Sequence, residues 1–230
     1  MANYDEFAEL YAKRSKKIEQ KTRDKFYSLL PTLDGKLLLD VGCGSGQDAF
    51  YYAKKGAKVS GVDISAEEIK IAKTNLKKTD YEINFQKGDM NELPYESNTF
   101  DVVTSWYALQ ASNDVTHALT EMIRVAKPGS LVAILTKHPF RQLVESFVNN
   151  KNGNYLSMGA QDGKVTSKIF NGDIVLHEPG HTQTEYLHSD ILKIATLEYF
   201  NDEGNDFPAS DKVIKGMTYS TYEILQFRKK

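Results

Sequence analysis

Gly42, Gly44 and Gly46, in the run VGCGSG, give the backbone freedom to turn sharply and admit a ligand without interference from Cβ atoms. A glycine-rich turn alone fits several ligands, so spacing must discriminate among them. The dinucleotide fingerprint G-x-G-x-x-G would need its third glycine at position 47, which is Gln47, and no G-x-x-x-x-G-K-[ST] phosphate loop occurs. Asp63 follows Gly42 by 21 residues, near the separation of about 20 at which a carboxylate accepts ribose hydroxyls. Asp40 stands two residues before the first glycine. A carboxylate there would repel a pyrophosphate, yet it suits a ligand carrying a sulfonium and an ammonium group.

These residues need elements to hold them. Residues 36–41 (KLLLDV) are almost wholly apolar, as in a strand buried on both faces of a parallel sheet, and the glycines close it. A helix should follow, with Ala49, Phe50 and Ala53 inward and Gly56 as its stop, then a strand over 57–62 ending on Asp63. Ser65 and Glu68 form a capping box that opens a helix to about Lys78. Strands are predicted over 82–86 and 100–105. A helix from Asp114, stopped by Pro128-Gly129, leads to a strand over 131–136. Repeated strand–helix units imply βαβ crossovers and a doubly wound parallel sheet.

With these elements in place, a family resemblance emerges. Residues 39–46 (LDVGCGSG) resemble the first motif of class I S-adenosylmethionine-dependent methyltransferases, and 61–65 (GVDIS) their second-strand acidic motif. Residues 87–93 (KGDMNEL), 98–105 (NTFDVVTS) and 124–131 (RVAKPGSL) are similar to the adenine loop and the fourth- and fifth-strand motifs. The resemblance covers about residues 36–136 and implies a Rossmann-like α/β fold with a seven-stranded, mostly parallel sheet. It also implies S-adenosylmethionine as cofactor and S-adenosylhomocysteine as product. Carried over by position, Gly42, Gly44 and Gly46 would underlie the methionine portion, with Asp40 supporting the loop or the ammonium group. Asp63 would hold the ribose, Ile64 would lie against the adenine, and Asp89 with the Met90 amide would meet the adenine edge. Ser105 and Trp106 would face the methionine end, where Tyr11 and Arg14 could close over its carboxylate. Structural alternatives remain: a tight turn for the glycines, caps for Asp63 and Asp89, and packing for Tyr11 and Arg14. Cys43 reads as a small buried residue, with no partner to make it a nucleophile.

Past the fifth strand the chain departs from an unadorned family domain. Residues 140–152 read as a helix, 164–170 and 174–177 as a hairpin turned by Asn171-Gly172-Asp173, 184–193 as a helix, and 196–200 and 218–227 as final strands. One domain is expected: a helical lid over 1–35, a cofactor-binding core over 36–137, a substrate cap over 138–190, and the closing strands over 191–230. His138-Pro139 and His181, ahead of Glu185-Tyr186, resemble the small-molecule branch that includes quinone and secondary-metabolite enzymes. His138 or His181 is then a candidate base or hydrogen-bond partner in the acceptor pocket, the alternative being a histidine satisfied by backbone. Trp106, Tyr107, Phe140 and Tyr186 offer an aromatic wall, though at least two of them read as core. No metal is expected, because Pro179-Gly180 breaks any helix that could align His177 with His181.

Composition narrows the partners. Hydrophobic residues make up 40% and charged residues 26%, with a formal net charge of −2, which argues against a broad nucleic-acid-binding face. A single cysteine permits no intrachain disulfide, and no apolar run approaches the roughly 18 residues that span a bilayer. The expectation is a cytoplasmic enzyme, monomeric or homodimeric, that methylates a small molecule. RNA- or protein-directed methyl transfer, and non-catalytic S-adenosylmethionine binding, stand as the alternatives.

Overall fold

Alternation of buried side chains along short apolar strands organises the molecule. The structure, a computed structural model, describes residues 8–9, 20–139, 164–169, 174–204 and 220–230. The elements run α1 (Gln20–Ser28), β1 (Leu37–Val41), α2 (Gln47–Lys54), β2 (Lys58–Asp63), α3 (Ala66–Leu76), β3 (Ile83–Lys87) and β4 (Phe100–Trp106). They continue with a 3-10 turn (Leu109–Ala111), α4 (Val115–Val125), β5 (Ala126–Lys137), β6 (Lys164–Ile169) and β7 (Ile174–Pro179). Two short helices, α5 (Gln183–Tyr186) and α6 (Ser189–Ile194), precede β8 (Ala195–Gly204) and β9 (Ser220–Lys229).

Seven strands form one sheet in the order β3-β2-β1-β4-β5-β9-β8. The first five are parallel, whereas β9 runs antiparallel to both β5 and β8. The chain leaves β1 toward β2 on one side, and β4 lies on the other. That reversal of strand order opens a crevice at the carboxyl ends, where such sheets take their ligands. Leu39, Val41, Val103, Val132 and Ile134 pack with Ala118, Leu119, Met122 and Ile123 of α4. Leu38, Val59, Phe85 and Val102 pack with Ala49 and Tyr52 of α2 and Ile69 and Ala72 of α3. A third cluster joins Phe26 of α1 to Trp106, Leu135, Tyr222 and Ile224. Ser65 caps α3, its side chain accepting from the Glu68 amide.

Several boundaries differ from expectation. The helix after Asp114 ends at Val125, and the strand begins at Ala126 and takes Pro128-Gly129 into an irregularity of its own, with Gly129 at φ 75°. Neighbouring β4 imposes this, because Phe100 pairs with Ala126 before a register shift, and sheet pairing overrides the local turn signal. The single helix expected over 184–193 is two, α5 and α6, with His188 as the N-cap of the second. A side-chain cap inside the run starts a new helix instead of extending the first. The hairpin pairs β6 with β7 as a separate two-stranded sheet. The helix expected over 140–152 lies outside the described residues. Among the described residues, no helix is long and apolar enough to cross a membrane.

Candidate functional site

A cleft of about 1190 Å³, its open mouth included, occupies the switch point between β1 and β4. Its floor is the glycine loop. Gly42, at φ 72°, and Cys43 both donate their amides to the Val62 carbonyl, at 2.8 and 3.0 Å, tying the loop to β2. A Cβ on Gly42 would collide with the Cβ of Ala108 across the cleft, so only glycine fits there. Asp63 ends β2 and staples the loop from the other side. Its Oδ2 accepts from the Gly44 amide at 2.8 Å and its Oδ1 from the Ser65 amide at 2.9 Å.

Asp89 and Met90 line the same cleft beside Ile64. Asn91 steadies that loop, its amide and side-chain nitrogen both donating to Asp89 Oδ1, while Asn91 also pairs with Ser112. Opposite lies α1. Arg23 lines the cleft with its guanidinium 4.5 Å from the centre of the Trp106 ring, and it is ion-paired to Asp48 of α2. Tyr27 donates to the same Asp48 oxygen. Burial works to lower the Arg23 pKa, but the Asp48 carboxylate and then Tyr27 outweigh it, so the guanidinium stays charged. Arg23 Nε is buried with no hydrogen-bond partner among the described residues.

The structure thus gathers Gly42, Gly44, Asp63, Ile64, Asp89, Met90 and Trp106 around one cleft. Other expected residues fall elsewhere. Asp40 is 1% exposed beneath the loop and outside the lining, with Thr104 Oγ1 donating to its Oδ1 at 3.2 Å. Burial, and next the Asp48 charge, raise its carboxyl well above the ordinary range. Gly46, at φ 90°, is the N-cap of α2 and packs under Phe85 and Phe50. Ser105 is fully buried, because strand alternation turns it away from the face that carries Trp106. His138 is half-buried just past β5 and outside the lining, and Tyr11 and Arg14 lie outside the described residues. His181 is 1% exposed and behind the wall, with Nε2 3.2 Å from the Gln110 carbonyl. Tyr186 is core. Burial pushes the Cys43 thiol up, against any nucleophilic role.

Sequence reasoning missed Arg23 and Asp48, and read Glu68 only as part of a helix cap, whereas all three line the cleft; Tyr107, expected in an aromatic wall, lines it too. Arg23 precedes Phe26 and Tyr27 by three and four residues, so a cation on the apolar face of α1 was the available signal. Tyr107 lines the cleft at φ 52°, a conformation that costs a non-glycine residue about 1–3 kcal/mol and gathers at functional sites.

Comparison with known proteins bears on this geometry. Residues 39–134 match the family described as a methyltransferase domain. A demethylmenaquinone methyltransferase of Lactococcus lactis is 36% identical over 137 residues, 56% of this chain and 54% of that protein. A 2-phytyl-1,4-naphtoquinone methyltransferase of Synechocystis is 42% identical over 119 residues, 49% of this chain and 50% of its relative. The chain spans about half the length of the curated relatives it matches. An S-adenosylmethionine-dependent methyltransferase structure from Mesorhizobium loti superimposes with a TM-score of 0.68, at 19% identity, over 89% of this chain and 96% of the other. At that identity the likeness speaks for the fold.

Proposed function

We propose that the protein transfers the methyl group of S-adenosylmethionine to a small-molecule acceptor. The charge of the cleft carries this reading. Among the described residues, Asp48, Asp63, Glu68 and Asp89 line it against one basic residue, Arg23. Four carboxylates disfavour a pyrophosphate and favour a ligand with a sulfonium, an ammonium and ribose hydroxyls. The single guanidinium suits that ligand's one carboxylate. Its unpartnered Nε and its seat on Trp106 place a ready donor at the methionine end.

S-adenosylmethionine, when bound, would supply an electrophilic methyl on its sulfonium, from which a neutral thioether leaves. The chain's task is alignment, and in-line displacement gains chiefly from proximity. The glycine loop sets the depth of the ligand, Asp63 accepts ribose hydroxyls, and Asp89 with the Met90 amide meets the adenine edge. Arg23, shielded by Trp106, orients the amino-acid end and excludes water from it. Trp106 and Tyr107 form an apolar wall on the β4 side, where the acceptor enters. A planar acceptor fits that wall, in keeping with the naphthoquinone substrates in the names of the matched relatives.

Calorimetric titration with S-adenosylmethionine, S-adenosylhomocysteine and NAD tests the reading. Micromolar binding of the two sulfur ligands and none of NAD is expected, followed by S-adenosylhomocysteine release in a screen of small quinols and phenols. Binding of NAD alone would overturn it. Cofactor binding without turnover on any acceptor would reduce it to a non-catalytic binder.

A further inference from the structure

Gln110 is fully buried in the 3-10 turn after β4, and three of its polar atoms are engaged. Its Nε2 donates to the Tyr107 carbonyl at 2.8 Å, and its Oε1 accepts from Thr136 Oγ1 of β5 at 3.1 Å. Its main-chain carbonyl meets His181 Nε2 at 3.2 Å. A carbonyl only accepts, so Nε2 carries the proton and donates. His181 comes from the segment after β7, 71 residues further along the chain. Its other nitrogen lies 3.7 Å from Glu185 Oε1, and its ring meets Tyr186 edge-on with centroids 5.9 Å apart.

Glu185 is itself fixed. The Thr182 amide donates to its carboxylate at 2.6 Å and the Thr182 hydroxyl at 3.0 Å, while Thr116 of α4 donates to its main-chain carbonyl at 3.1 Å. The residues thus form one line of contacts: α4, Glu185, His181, Gln110, Tyr107. Tyr107 is the left-handed residue of the wall, and Ala108 and Ala111 of the same turn line the cleft, Ala108 directly over Gly42.

We propose that His181 and Gln110 form a clamp that holds Tyr107 in its left-handed conformation and presses the turn onto the methionine end of the cleft. His181 is thereby a positioning residue, acting through Gln110 and touching neither cofactor nor acceptor. This rests on the methyltransferase reading only in naming what the cleft holds.

The test uses S-adenosylhomocysteine as ligand and Trp106, the chain's one tryptophan, as reporter. His181→Leu and His181→Asn, which lose the reach to Gln110, should each weaken the ligand about tenfold, as expected for one lost buried hydrogen bond. His181→Gln, which can still donate there, should bind within about threefold of the native protein. His188→Ala removes the side-chain cap of α6 without touching that line of contacts and should keep native affinity. Where His181→Leu does not fold, His181→Asn decides. Native affinity in both, or a Gln variant as weak as the Leu variant, would overturn the clamp. A His188→Ala loss matching that of His181→Leu would reduce His181 to general stability and overturn it equally. Acrylamide quenching of Trp106 in unliganded protein should rise in the Leu and Asn variants and not in the Gln variant. That arm judges the clamp even if the native protein binds no S-adenosylhomocysteine, a result that would refute the functional reading separately.

Discussion

On the β1–β2 rim of the cleft, backbone amides and one carboxylate build the surface, and the Gly44–Asp63 contact spans 19 residues. On the β4–β5 rim, side chains build it, and the His181–Gln110 contact spans 71. The first rim is written as glycines and an acid at fixed intervals, so it tolerates almost no added atom. The second is held by long-range polar contacts that a substitution loosens by degrees. Gly42→Ala probes the point where the rims touch. The added Cβ meets Ala108, and the residue must keep φ 72°. S-adenosylhomocysteine binding should weaken by about 100-fold or more, roughly 3 kcal/mol of clash and left-handed strain. Adding Ala108→Gly should recover part of the loss, since it removes the clash and leaves the strain. A double variant no better than the single would show that the rims do not meet as described.

The carboxylate of the first rim comes next in size. Asp63→Ala removes both the proposed ribose acceptor and the staple on the Gly44 amide, and should cost about 1–3 kcal/mol in ligand affinity. Titration with S-adenosylhomocysteine measures it, and unchanged affinity would strip Asp63 of its role.

Arg23 sharpens the comparison, because it serves the methionine end from a third element, α1. Arg23→Gln should weaken S-adenosylhomocysteine about tenfold, in the range of a charged hydrogen bond, and leave 5′-methylthioadenosine, which lacks the carboxylate, unaffected. Equal loss for both ligands would assign Arg23 to packing on Trp106. A thermal melt run alongside separates either outcome from unfolding, since Arg23 and Asp48 are a buried pair.

What could be read from the sequence follows the same division. Residues 36–63 announce strand, glycine turn, helix and acid because each signal is local, and the cleft gathers Gly42, Gly44 and Asp63 accordingly. Asp40 was read as supporting the loop or the ligand's ammonium group, and strand alternation places it beside Thr104, under the loop. Pro128-Gly129 read as a helix stop, yet strand pairing with β4 had already claimed the chain at Ala126. His181 was read, from its resemblance to the small-molecule branch, as a base or hydrogen-bond partner in the pocket, or else as a histidine satisfied by backbone, and its Nε2 meets the Gln110 carbonyl. Its distance from the lining depends on Gln110 and Glu185, which no local pattern links to it.

Asp40 also supplies the smallest expected effect and the one with a pH signature. Burial, then the Asp48 charge, hold its carboxyl well above the ordinary value. The folded state therefore keeps a proton that the unfolded chain releases near pH 3.9, so the folded state binds more protons in that window. Stability must fall as pH rises from about 4 toward the raised folded value. Asp40→Asn keeps an oxygen to accept from Thr104 and has no proton to lose. The melting temperatures of the two proteins should lie closest near pH 4 and diverge in the variant's favour toward pH 8. The divergence should reach about 2–4 °C, the shift that roughly 1 kcal/mol produces in a domain of this size. A gap that stays constant with pH, or opens in favour of the native protein, would mean that Asp40 is ionised beneath the loop. It would then act as a charge on the glycine loop from below.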